Sequence, residues 1–139
     1  MNFRKYYWLI FPLLIVLNSF FRMYGGEVFV PKIPSVKIID IAKAISASKK
    51  IKVTGIRPGE KLSEVLCSKD EFFNTIEFKD YYVLKPAIRF VDKDVDYTKS
   101  KENEKGKFVE RDFEYSSSNN KTFLSVSDLK KLISNEFNK

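Results

Sequence analysis

Ile51-Lys52-Val53-Thr54-Gly55-Ile56-Arg57-Pro58-Gly59-Glu60-Lys61-Leu62 is the stretch that decides how this 139-residue chain is read. A β-branched run enters a turn holding Pro58 and Gly59, and apolar residues then recur at Leu62, Val65 and Leu66. That order predicts a strand over Ile51–Ile56, a tight turn, and a helix whose buried face carries Leu62, Val65 and Leu66. Arg57 and Glu60 stand together at the mouth of the turn. A guanidinium offers a planar fork of donors suited to a diphosphate, and a carboxylate three residues later can accept from the hydroxyls of a ribose. The pair therefore suits a nucleotide-sugar. Spacing alone equally allows a surface turn closed by a local Arg–Glu ion pair, and Lys61 reads either as a second phosphate contact or as a surface lysine at a helix start.

Two further blocks flank this turn in the chain, Gly26-Glu27-Val28-Phe29-Val30-Pro31-Lys32-Ile33-Pro34-Ser35 before it and Glu114-Tyr115-Ser116-Ser117-Ser118-Asn119-Asn120 after it. With Gly55 to Leu62, this ordered series resembles the C-terminal part of the UDP-N-acetylglucosamine 4,6-dehydratases. These are extended short-chain dehydrogenase/reductase enzymes of bacterial surface-sugar synthesis. Within them the chain looks most like the inverting enzymes that begin pseudaminic acid synthesis. The resemblance runs from about Val16 to about Ile133. It implies a small mixed α/β substrate-binding portion of such an enzyme, without its Rossmann domain, in a cytoplasmic setting. It also implies a UDP-sugar as ligand, with Arg57 on the diphosphate, Glu60 on the ribose, and Asn119 and Asn120 in the substrate wall. As turn formers the two asparagines would look the same. Ser118 stands where the family usually has histidine, which leaves the details of that wall open.

Enzymes of the family move a hydride between sugar and NADP, so the cofactor carries the redox chemistry and the protein positions it. The family binds NADP and carries its Tyr-x-x-x-Lys pair in an N-terminal domain. Here the five glycines, Gly25, Gly26, Gly55, Gly59 and Gly106, give no dinucleotide spacing, so no cofactor is expected in this chain. Tyr81–Lys85 and Tyr97–Lys101 both fit Tyr-x-x-x-Lys, but the first lies in a strand-like segment ending at Pro86 and the second in a charged loop. Neither offers the helical i, i+4 geometry through which lysine lowers a tyrosine's pKa. No catalytic residue is assigned. A separately encoded N-terminal cofactor domain is the protein partner the resemblance allows.

Composition sets limits on this reading. Hydrophobic residues at 44% and charged residues at 31% describe a globular chain of one domain's length. With 13 Phe and 7 Tyr, some aromatics are expected to lie exposed and to await a partner surface. The absence of histidine excludes imidazole acid–base chemistry and His-ligated metal, and Cys67 alone can form neither an internal disulfide nor a thiolate cluster. No metal site is expected. The net charge of +7 comes from 25 basic residues interleaved with 18 acidic ones, a solvated surface rather than a nucleic-acid footprint.

Two regions remain, 1–15 and 16–139. In the first, Arg4 and Lys5 precede an apolar run from Tyr6 to Leu17 that is short for a membrane span, and a membrane partner is not expected. Residues before Val16 depart from the family pattern, which suggests the join of a truncated or frame-shifted gene. The alternative is a genuine export or membrane signal on a small tethered module. In the second region, Glu27–Val30 reads as a strand closed by Pro31, and about Ile39–Ser46 as a helix burying Ile38, Ile41, Ala42 and Ile45. Lys69–Asn74 reads as a continuation or a short turn, Ile76–Phe78 and Tyr81–Leu84 as strands, and 92–107 as a charged, mobile loop. Ser125 with Asp128 forms a capping-box pattern before a last helix carrying Leu129, Leu132 and Ile133.

Overall fold

A computed structural model describes residues 7–88 and 94–137, with side chains described from residue 12 to residue 134 outside the gap. The chain divides into two compact units, Met1–Lys32 with Leu66–Glu114, and Ile33–Val65 with Tyr115–Lys139. It is mixed α/β as expected, and its strands are short and antiparallel where they form the larger sheet.

In the first unit, helix α1 (Tyr7–Arg22) leads through Gly25 and Gly26, both at positive φ, into strand β1 (Val28–Pro31). The Glu27 carboxylate accepts from the N–H groups of Tyr24 and Gly25, both at 2.6 Å, and so fixes that turn. Strand β2 (Val65–Cys67) runs across the division between the units. After it, the 3-10 turn Lys69–Asn74 leads into β3 (Thr75–Glu77) and β4 (Tyr81–Leu84), and β5 (Lys107–Phe108) follows. The sheet order is β1-β4-β3-β5, every pair antiparallel, with Phe29 opposite Val83 and Ile76 opposite both Val83 and Phe108. Ile76, Phe78 and Val83 form the core, with Phe29, Tyr81 and Tyr97 packed against it. The Phe78 and Tyr81 rings stack at 4.8 Å. Gly106 passes so close that a Cβ there would stand 2.7 Å from Ile76 and 2.8 Å from Phe78. Cys67 is fully buried, and burial pushes its thiol up to about 11, so it behaves as a packed thiol and not a nucleophile.

In the second unit, α2 (Ile38–Ile45) packs against α3 (Val126–Phe137). Ser125 starts α3 as the pattern predicts: its N–H donates to Asp128 Oδ2 at 3.1 Å, and Asp128 N–H donates back to Ser125 Oγ at 3.2 Å. Strand β6 (Tyr115–Ser116) opens the asparagine-bearing loop.

Several expectations need correction. Leu62, Val65 and Leu66 do not line a helix: Leu62 is 87% exposed and β2 occupies Val65–Cys67. Three apolar positions across five residues fit a helix, but so short a run cannot exclude a strand. Ile51–Ile56 lies in no strand, and every residue from 51 to 62 is exposed. A β-branched run forms a stable strand only beside a partner, and none adjoins it among the described residues. The α2 stripe is only partly covered, because a helix of two turns meets α3 through its middle. Ile41 and Ala42 are half-buried while Ile38 and Ile45 stay out. The described part of the charged loop, 94–107, is held in place: Lys99 bridges Lys105, Ser100 is buried, and Glu104 is anchored as described below.

Candidate functional site

The Arg57 turn builds itself from its own backbone. Gly55 and Gly59 take positive φ values of 83° and 85°, which an L side chain rarely adopts. Pro58 presets the chain direction between Arg57 and Gly59. Glu60 N–H donates to the Arg57 carbonyl at 3.0 Å, and Glu60 Oε2 accepts the Arg57 backbone N–H at 2.9 Å. The ion-pair alternative is therefore not what joins these residues. The carboxylate caps the turn, and among the described residues nothing accepts from the Arg57 guanidinium, which stands in solvent.

The asparagine loop is braced differently. Tyr115, buried at 6% exposure, both accepts from Ile33 N–H at 3.1 Å and donates to Ile33 C=O at 3.0 Å through its hydroxyl. Asn120 Nδ2 donates to the Ile33 carbonyl at 2.6 Å and to Ser35 Oγ at 3.0 Å, while its Oδ1 accepts from Thr122 N–H at 3.1 Å. Asn119 Oδ1 accepts from Ser116 N–H at 2.8 Å, and Ser118 Oγ lies 3.0 Å from Ser116 Oγ. Between these anchors, Ser117 N–H donates to Glu64 C=O at 2.8 Å, and Ser117 Oγ accepts Glu64 N–H at 2.9 Å. That reciprocal pair joins the loop to the chain four residues beyond Glu60. It links the two sets of candidate residues, Arg57 with Glu60 and Asn119 with Asn120. Sequence reasoning gave no role to Ser117 or Glu64, whose 53-residue separation leaves no local signal.

A second polar cluster lies in the first unit. Arg22 meets Glu104 twice, Nε to Oε2 at 2.7 Å and Nη2 to Oε1 at 3.3 Å, and the Tyr81 hydroxyl donates to Glu104 Oε2 at 2.6 Å. Ser100 Oγ accepts the Glu104 N–H at 3.1 Å. The Arg22 hydrogen bond holds the Glu104 carboxyl below its usual range, whereas burial, then the Glu104 contact, pushes the Tyr81 phenol well above its own. A tyrosine used as a base needs the opposite shift. Lys85, the other half of that Tyr-x-x-x-Lys pattern, lies over the Phe108 ring at 5.5 Å. Lys101 lies over the Tyr24 ring at 5.8 Å, and Tyr97 meets that ring edge-on at 6.2 Å. In neither pattern do the tyrosine and lysine lie on a helix.

A dinucleotide needs glycine-rich backbone N–H groups opening a helix. The Gly25–Gly26 turn opens β1 and has its N–H groups at Tyr24 and Gly25 already taken by Glu27. Gly55 and Gly59 precede no helix, and Gly106 serves core packing. Among the described residues no glycine turn opens a helix in the dinucleotide manner, and no group of His, Cys, Asp and Glu residues there could hold a metal ion.

With this small antiparallel α/β architecture and an open arginine turn established, the fold finds a match in the X-ray structure of Pen from Bacillus thuringiensis. The TM-score is 0.65 at 22% identity, over 92% of this chain and 36% of that one. The sequence goes further: residues 7–86 match the polysaccharide biosynthesis protein family, and the chain belongs to that family. It is 48% identical over 118 residues to the UDP-N-acetylglucosamine 4,6-dehydratase (inverting) of Campylobacter jejuni subsp. jejuni serotype O:2, and 44% identical to that of serotype O:23/36. Each alignment takes in 85% of this chain and 35% of the relative, so the chain spans about a third of the length of the curated relatives it matches. The resemblance carried by the three sequence blocks is thereby borne out.

Proposed function

We propose that this chain is the C-terminal, UDP-sugar-holding portion of a UDP-N-acetylglucosamine 4,6-dehydratase-like protein of the extended short-chain dehydrogenase/reductase type. Its place is the cytoplasmic synthesis of a bacterial surface sugar of the pseudaminic acid kind. The observation that carries this reading is the 48% identity over 118 residues with an inverting dehydratase. The geometry agrees with it, since Arg57 presents a guanidinium that no acceptor among the described residues claims, on a turn that Glu60 holds in shape. In this reading Arg57 takes the diphosphate, and Glu60 meets the ribose through its second carboxylate oxygen. Asn119 and Asn120 form the wall beside them. NADP belongs to the cofactor-binding portion of the complete family enzyme, outside these residues, and these residues alone do not dehydrate the sugar.

Saturation-transfer NMR with UDP-N-acetylglucosamine tests the reading. Transfer to the uridine and ribose protons, abolished by excess UDP and by Arg57→Ala, is the expected result. Equal transfer from wild type and Arg57→Ala, or none at all, overturns it. A companion assay with added NADP is expected to yield no 4-keto-6-deoxy product. A tethered or exported module is the second reading, favoured by the outward apolar side chains of α1, among them Val16, Phe20 and Phe21 at 63%, 69% and 64% exposure. Among the described residues, no helix is long and apolar enough to cross a membrane. Recovery of tagged protein in membrane or periplasmic fractions would favour that second reading.

A further inference from the structure

We infer that Ser117 is a positioning residue for the Arg57 turn, acting through Glu64; its bearing on ligand affinity rests on the proposed UDP-sugar reading. Within the turn no side chain is buried, residues 51 to 62 all being exposed. Its internal bonds, Glu60 to Arg57 in both directions, set its shape but not its place. The loop 115–120, by contrast, is anchored at both ends: Tyr115 by its two bonds to Ile33, Asn120 by Ile33 and Ser35. Ser117, midway between those anchors, exchanges two hydrogen bonds with the Glu64 backbone at 2.8 and 2.9 Å. The braced loop therefore hands its position to Glu64, and the short path from Glu64 back to Glu60 carries it to the arginine. One of the two bonds uses the serine hydroxyl and can be removed without touching the backbone.

Ser117→Ala deletes that acceptor, and Ser117→Thr restores it. In the ligand-free protein, the expected result for Ser117→Ala is faster amide exchange at Glu64 together with shifted amide resonances at residues 55–60. Thermal stability should stay near wild type, since the bond lies at the surface. Ser117→Thr should return both signals. Shifts confined to Glu64 and residues 116–118, with 55–60 unmoved, overturn the inference whether or not a ligand binds. In titrations with UDP-N-acetylglucosamine, Ser117→Ala should raise Kd roughly five-fold, the worth of one net hydrogen bond, with recovery in Ser117→Thr. An unchanged Kd in a wild type that binds also overturns it. A wild type that does not bind removes the UDP-sugar reading, and the amide measurements then decide the positioning role alone.

Discussion

Arg57 and Glu60 are joined through the backbone and not through their charges: Glu60 Oε2 accepts the Arg57 N–H at 2.9 Å, and Glu60 N–H returns to the Arg57 carbonyl at 3.0 Å. A carboxylate that closes its own turn leaves the guanidinium three residues back without an acidic contact among the described residues. The turn is thereby built to present a cation, and the first prediction concerns that cation. Arg57→Lys keeps the charge but loses the planar fork, so UDP-sugar affinity should fall roughly ten-fold, and further in Arg57→Ala. Melting should be unchanged in both, because the side chain is exposed. Calorimetric titration beside thermal melts checks this, and an equal loss of affinity and stability would contradict it.

Glu60 has a structural task separable from any contact with a ligand. Glu60→Gln retains an oxygen able to accept the Arg57 N–H, whereas Glu60→Ala gives that N–H to water. Amide exchange at Arg57 should therefore accelerate in the alanine variant and stay near wild type in the glutamine variant. If both variants exchange at the wild-type rate, the cap does not hold the turn.

Two glycines should fail for different reasons. At Gly106 a Cβ would meet Ile76 and Phe78 in the core, at 2.7 and 2.8 Å. Gly106→Ala is thus an overpacking change, expected to cost about 1–3 kcal/mol. At Gly55 nothing lies within 4 Å, but φ is +83°. Gly55→Ala should cost about 1 kcal/mol from backbone conformation alone. Paired replacement separates the two causes. Ile76→Ala removes the Cγ2 that a Cβ at 106 would meet, so in urea unfolding the added loss from Gly106→Ala should be smaller in that background, and the loss from Gly55→Ala unchanged.

Local chemistry explains which parts of this fold the sequence revealed. Tyr81–Leu84 was legible to the residue because its β-rich run is bounded by Asp80 and Pro86, and α3 because Ser125 and Asp128 mark its start. The helix expected through Leu62, Val65 and Leu66 was not legible correctly, since β2 depends on neighbours far along the chain. Ile51–Ile56 has the composition of a strand and lacks one. At the candidate site, Pro58 and Gly59 announced the turn. Its cap could have been guessed from the three-residue spacing, which suggested an ion pair instead. The tie from Ser117 to Glu64 and the clasp from Tyr115 and Asn120 to Ile33 leave no trace in periodicity, because each joins residues far apart through main-chain atoms. Likewise, the charged composition of 94–107 concealed that Glu104 turns inward to Arg22.

That inward turn makes the loop sensitive to acid. The Arg22 hydrogen bond, with help from Tyr81, lowers the folded-state pKa of Glu104 below its unfolded value. A group shifted in this direction contributes stability that is fully present above the unfolded carboxylate pKa, near about 4.3, and is lost as pH falls through the folded value. Protonation removes the charge that Arg22 pairs with and one acceptor position, so Arg22 loses an ion pair and Tyr81 competes with a new proton. Glu104→Gln keeps the size and one acceptor oxygen but cannot titrate. It should lower stability at neutral pH while flattening the acid limb. Melts recorded from about pH 6 to pH 3 should therefore converge for wild type and variant toward the acid end, where Glu104 is neutral in both. Wild-type and variant curves that stay parallel across that range would show that Glu104 does not anchor the loop through its charge.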